Sequence, residues 1–158
     1  MKRSISWKEK GFLEFSFMTR PMFKQFRSPQ GWYSLLYPAS WEQMVVEEIP
    51  AFFQPEGGGA LQFYAFESKQ DHFDVSQELE NYLKIHEIDY DEDKVAHFEN
   101  NEGSSIRACE FQKEDRIWMV YVIANQTKML LATYNTDEEI EDELFQDLSN
   151  IISSVRFI

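Results

Sequence analysis

The chain is 158 residues long, the size of one domain. Hydrophobic residues make up 43% and aromatics 16%, enough for a core and too much for a disordered chain. A net charge of −13 repels phosphate backbones, so no nucleic-acid partner is expected. A lone Cys109 leaves no internal disulfide and no Cys-based zinc site.

Charge is divided unevenly. Residues 1–30 carry seven basic side chains (Lys2, Arg3, Lys8, Lys10, Arg20, Lys24 and Arg27) against Glu9 and Glu14, a net +5. The remainder sets 8 Lys and Arg against 26 Asp and Glu, a net −18. Residues 1–22 therefore read as a basic N-terminal arm with three explanations: an arm lying against the acidic body, a signal or anchor, or an over-long gene start with Met18 or Met22 as initiator. A secretory peptide needs about 7–15 apolar residues, and Glu14 and Ser16 interrupt the candidate stretch. No stretch nears the roughly 20 apolar residues of a membrane span. No membrane partner is expected, and the cytoplasm is the default location.

Leu13, Phe15 and Phe17 alternate with Glu14 and Ser16, as in a short half-buried strand. Residues 23–27 read as another. Ser28-Pro29-Gln30-Gly31 marks a turn before a strand over residues 32–37, which Pro38 stops. Strands are expected over residues 44–48, 51–54 and, after Pro55-Glu56-Gly57-Gly58-Gly59, 60–67. A helix follows, with Asp74 and Gln77 as a capping box and Val75, Leu79, Tyr82 and Leu83 on one stripe to about residue 87.

Residues 105–113, 116–124 and 127–134 read as an antiparallel meander turning at Glu114-Asp115 and Asn125-Gln126. In the middle strand Ile117, Met119, Tyr121 and Ile123 face one way and Trp118, Val120 and Val122 the other. Strands apolar on both sides call for cover on both sides. The last helix is predicted from a Thr136 cap with Glu139 at the third position, along the stripe Ile140, Leu144, Leu148, Ile151, Ile152 and Val155. Residues 155–158 suit a short final strand. The expected class is α/β in the α+β sense: an antiparallel β-sheet sandwiched between helices, with residues 23–158 as a single domain.

The strand order, the turn Tyr37-Pro38-Ala39-Ser40-Trp41 after an aromatic-rich strand, the meander, the long last helix and the ending Ser154-Val155-Arg156-Phe157 resemble the PsbP-like fold. The resemblance covers about residues 23–158 and leaves residues 1–22 outside. That fold is shared by the extrinsic oxygen-evolving subunit of photosystem II, a nuclear-import factor that binds the GTPase Ran, and small bacterial proteins. The resemblance implies a helix-covered antiparallel sheet. It also implies a binding module, adaptor or assembly factor, with no catalytic signature to carry over.

Motifs for chemistry are sparse. Asp89-Tyr90-Asp91-Glu92-Asp93 opens like a calcium loop, but Lys94 and Asn100 stand where Gly and Glu are needed. His72, His86 and His97 have no metal-ligand spacing. Cys109 in a strand reads as a packed thiol, and the three consecutive glycines precede a strand, not the helix a phosphate loop needs. No catalytic residue, metal or cofactor is expected. The aromatics Trp32, Tyr33, Trp41, Phe52, Phe53, Phe63, Tyr64 and Phe66 read chiefly as core, with a groove for a peptide or apolar ligand as the sharper reading.

The leading functional expectation is a non-enzymatic protein-binding module of adaptor, chaperone or immunity type for a basic protein or peptide partner. Its expected surface is acidic: Glu138, Glu139, Glu141, Asp142 and Glu143, with Asp89, Asp91 and Asp93. The alternative is a small-ligand or divalent-metal binding domain with hydrolytic activity. A third reading is homo-oligomerisation through the N-terminal arm.

Overall fold

Long runs of β-branched and aromatic residues pair with close-by neighbours through short turns, and this builds the molecule. The computed structural model describes residues 22–68 and 73–158. The arm up to residue 21, its expected strand at Leu13, Phe15 and Phe17, and His72 lie outside the described residues. In chain order the elements are β1 (Phe23–Arg27), β2 (Tyr33–Pro38), β3 (Glu42–Val46), β4 (Ile49–Phe53), β5 (Leu61–Glu67), α1 (Val75–Ile85), β6 (Ala96–Glu99), β7 (Ser105–Lys113), β8 (Arg116–Ala124), β9 (Lys128–Thr136), α2 (Asp142–Ser153) and β10 (Arg156–Phe157).

The described strands form two antiparallel sheets. The large one has the order β3-β4-β5-β9-β8-β7-β6, and the small one has β1-β2-β10. The expected meander is the centre of the large sheet, with β7 registered on β8 through Cys109 and Val120, and β8 on β9 through Val120 and Thr133. On one face of this sheet, Phe52, Leu61, Phe63, Ile106, Met119, Tyr121 and Ala132 pack against α2 and the small sheet. On the other face, Val75, Leu79 and Leu83 of α1 pack on Cys109, Val120 and Val122. The sheet thus lies between helices, and the C-terminal helix shares its side with a second sheet that the sequence pattern did not separate.

Tyr37 and Trp41, the ends of the Tyr-Pro-x-x-Trp turn, are both buried. The Trp41 backbone N–H donates to the Pro38 carbonyl at 2.9 Å and closes the turn, and the indole is buried in the core. Ser154 fastens the end of α2 to the small sheet: its hydroxyl accepts from the Leu36 N–H at 2.8 Å while donating to the Ile151 carbonyl at 2.7 Å.

Three expectations change. Asp74 caps α1 by accepting from the Ser76 and Gln77 N–H groups, but Gln77 turns to Asn81 and does not close the box. The last helix does not start at Thr136. β9 runs to Thr136, whose hydroxyl accepts from the Glu138 N–H, and α2 begins at Asp142 after Glu141. Tertiary pairing of β9 with β8, which extends to Thr136 opposite Ile117, outweighs the local cap signal. Ile140 is buried ahead of the helix, not on it. Finally, β6 is a strand that the sequence does not announce, because four residues with the pattern Ala-His-Phe-Glu carry little periodic signal.

Candidate protein-binding surface

β3 is exposed at every position, although Met44, Val45 and Val46 are consecutive and apolar. Their exposures are 52%, 40% and 57%. β3 ends the large sheet, and among the described residues no strand pairs its outer edge. Val45 stands opposite Pro50, which has no N–H. That pair is therefore not hydrogen-bonded, and by alternation Gln43 and Val45 point their N–H and C=O groups away from β4, into the open edge. An open, apolar edge strand invites pairing with another strand.

Acids bracket this edge. Glu42 begins β3, and Glu47 and Glu48 make the two-residue turn to β4, all exposed. Both turn residues adopt left-handed backbone, with φ of 52° and 67°. Side chains other than Gly, Asn and Asp adopt this region at a cost, so the local sequence accepts strain where it places two carboxylates beside the edge.

The edge continues onto a sheet face. Met44 and Val46 share that face with Ala51 and Phe53, and it runs on through Tyr64 and Phe66. α1 lies over β7 and β8. Toward β3 the face opens: Ala51, Phe53 and Tyr64 are half-buried, and Phe66 is 44% exposed. The aromatics thus divide. Tyr33, Trp41, Phe52 and Phe63 are core, while Phe53, Tyr64 and Phe66 border the open face.

The acidic residues singled out from the sequence form two separate groups. Asp89, Asp91 and Asp93 sit between α1 and β6, where Asp91 caps a single helical turn at Glu92–Lys94 by accepting from the Asp93 N–H at 3.0 Å. Glu92 beside them is engaged by the Tyr90 hydroxyl and by His97 Nε2 at 2.6 Å. Glu138, Glu139, Glu141, Asp142 and Glu143 are exposed on the connection from β9 into α2. β7 and β8 stand between β6 and β9 in the sheet, so the two groups do not converge. Among the described residues no three His, Cys, Asp or Glu side chains are grouped to hold a metal.

Asp147 is the acid on α2 with an altered ionisation. Burial, and then the Glu143 carboxylate, push its carboxyl up to about 6 from 3.8. A raised folded-state value favours folding in the protonated form. That contribution is complete below the ordinary 3.8 and is lost as pH rises through about 6. Because the group is only half-buried, screening reduces the effect to about 1 kcal/mol. Asp147→Asn is expected to raise Tm by about 3 °C at neutral pH and to leave it level with the parent below about pH 4. Equal gains at both pH values in a thermal melt would refute this assignment.

Other sites of possible chemistry are otherwise engaged. Cys109 is 4% exposed, and burial, with Glu110 second, pushes its thiol up to about 12, so it is a packed group and not a nucleophile. A depression of about 100 Å³ lies at the end of the β7–β8 hairpin among Tyr82, Phe111, Trp118, Lys113 and Arg116. It is smaller than the roughly 300 Å³ of ordinary ligand pockets. Its cations are spoken for: Lys113 donates to the His86 carbonyl, and Arg116 Nε donates to Asn135 Oδ1 at 2.7 Å. The loop of Gly57, Gly58 and Gly59 does not suit a phosphate, since a Cβ at Gly58 would lie 3.3 Å from a Glu138 carboxylate oxygen and 3.8 Å from one of Asp137.

Among the described residues, two helices and ten strands in antiparallel sheets, with the buried Tyr-Pro-x-x-Trp turn, define an α+β fold of the PsbP-like kind. The structure is similar to the solution structure of cyanobacterial PsbP (CyanoP) from Synechocystis sp. PCC 6803, with a TM-score of 0.60 and 13% sequence identity over 90% of this chain and 96% of that one. No protein-family profile and no curated protein sequence matches the chain. Among the described residues no helix is long and apolar enough to cross a membrane.

The sequence alone does not single out the β3 edge, although its pattern is present there. An apolar triplet set between Glu42 and the pair Glu47 and Glu48 is the pattern of a strand guarded by charge against random pairing.

Proposed function

We propose that this protein is a non-enzymatic protein-binding module that takes an extended partner segment, apolar in the middle and basic at its ends, along the β3 edge. The observation that carries the reading is the exposed Met44-Val45-Val46 edge between Glu42 and the Glu47-Glu48 turn. Strand addition draws affinity from the outward N–H and C=O groups of Gln43 and Val45, and specificity from alternate side chains. Acids at both ends select a segment with basic flanks. The acidic groups around residues 89–93 and 138–143 add long-range attraction that speeds encounter and weakens with salt. Adaptor, chaperone and immunity-type roles are each compatible with such a surface.

The test is affinity capture at low salt with a chain in which Glu42, Glu47 and Glu48 are changed to Lys, beside one in which Glu138 and Glu139 are changed to Lys. The first set is expected to lower partner affinity about 30-fold or more, and the second only a few-fold through the on-rate. If the two sets weaken binding equally, the acidic exterior acts as a whole and the edge is not the site.

A further inference from the structure

The large sheet carries a second open feature, a trough of about 500 Å³ where β4 and β9 end and β5 begins. That volume lies within the roughly 300–1,000 Å³ of small-molecule sites. Strand register builds it. Gln62 on β5 is paired with Ala51 on β4 and with Thr133 on β9. Phe53 and Asn135 stand two positions beyond those partners, so all three share one face of the sheet. Two strand spacings, about 10 Å, separate Phe53 from Asn135. Arg116, at the start of β8, adds its side chain, and the loop from Gln54 to Gly59 forms the rim. The Gly57 N–H donates to the Gln54 carbonyl at 3.0 Å and closes that loop.

The lining selects a chemistry. Among the described residues it holds three carboxamides (Gln54, Gln62 and Asn135), one guanidinium, one phenyl ring and no carboxylate. Arg116 Nε–H donates to Asn135 Oδ1 at 2.7 Å, which orients that amide and leaves its NH2 as the end that can donate to a ligand. The side chains of Gln54 and Gln62 make no hydrogen bond among the described residues. An apolar ligand would strip water from these groups and return no bonds. An anion would meet carboxylates at the rim, where a Cβ on Gly58 would lie 3.3 Å from an oxygen of Glu138 and 3.8 Å from one of Asp137. A cation would meet Arg116. A neutral ligand dense in hydroxyls, with a C–H face for the Phe53 ring, satisfies all of these groups, and a sugar ring has both features.

We propose that this trough binds a neutral saccharide of one or two rings. The C–H face of one ring lies on Phe53. Its hydroxyls accept from the Asn135 NH2 and from the remaining N–H groups of Arg116, and they both donate to and accept from Gln62 and Gln54. The span from Phe53 to Asn135 admits a second ring. The site uses none of the outward groups of the β3 edge, so it stands whether or not that edge takes a partner.

The experiment is an amide NMR titration of the full chain with maltose, cellobiose, lactose and N,N′-diacetylchitobiose, following the side-chain NH2 signals of Asn135 and Gln62. At least one sugar is expected to shift both signals saturably, with a Kd of about 1 mM or tighter. Digalacturonate, which adds two carboxylates, is expected to bind at least about tenfold more weakly. Gln54→Ala combined with Gln62→Ala should weaken sugar binding about tenfold, and Phe53→Ala by a similar factor. Gln126→Ala, on the exposed turn at the other end of β9, should leave it unchanged. Thermal melts establish that each variant is folded; should Phe53→Ala not fold, the glutamine pair decides alone. No saturable shift with any of the four sugars up to about 20 mM overturns the proposal. Binding that the glutamine and Phe53 changes do not weaken places the sugar elsewhere and overturns it too. Digalacturonate binding as tightly as the neutral sugars makes this an anion site, and the assignment falls.

Discussion

Phe52→Ala is expected to destabilise the protein by about 3–5 kcal/mol, a large fraction of the total for a domain of this size. The ring is fully buried on β4. It meets Phe26 edge-on at 5.1 Å and Phe63 edge-on at 5.7 Å, and lies 5.0 Å from Tyr37. Phe26 and Tyr37 belong to the small sheet and Phe63 to the large one, so this one side chain joins both layers. Alanine removes the transfer gain and leaves a cavity that two rigid sheets cannot close. A thermal melt should show Tm lower by about 10 °C. A drop under about 3 °C would mean that the aromatic group does not hold the sheets together.

The second large effect is expected at Gly59. A Cβ there would stand 2.4 Å from the Asn135 carbonyl oxygen and 2.6 Å from the Tyr134 ring. Both belong to β9, a central strand of the large sheet, and Tyr134 is buried. Neither can yield without moving β9 against β8 or β5. Gly59→Ala should cost about 2–3 kcal/mol. Gly58→Ala is the control, because its nearest neighbour is a Glu138 carboxylate oxygen at 3.3 Å on a side chain free to swing, and it should change stability by less than about 0.5 kcal/mol. Denaturant midpoints for the pair decide the matter. Equal midpoints would mean that the glycines serve loop flexibility alone, as their sequence suggests.

What the sequence made legible follows physical lines. Long periodic stretches such as β7, β8 and β9 show themselves, because each residue adds to one pattern and the turn pairs Glu114-Asp115 and Asn125-Gln126 punctuate them. α1 is marked by its Asp74 cap. The start of α2 is not, because Thr136 has two uses open to it, and the pairing of β9 with β8 decides between them. The division into two sheets is hidden for a related reason. β2 pairs with β1 nearby and with β10 at the far end of the sequence, and nothing local in Ser34 or Tyr33 announces Arg156 or Phe157. The acidic surface was legible as composition but not as geometry. Asp91 and Glu138 look alike in the sequence, yet one lies in the connection before β6 and the other in the connection after β9. Met44, Val45 and Val46 read as an ordinary strand, since position at the edge is a property of the sheet order and not of the strand.

The bond from the Leu36 N–H to the Ser154 hydroxyl spans 118 residues of chain. Such a closure carries a large loop entropy and comes late in folding. During synthesis β2 emerges early, and although β1 and the large sheet cover part of Tyr33 and Tyr37, the layer is complete only when α2 and β10 arrive. For that interval the chain presents an unfinished aromatic layer, vulnerable to clumping until residues 142–157 are free to close it.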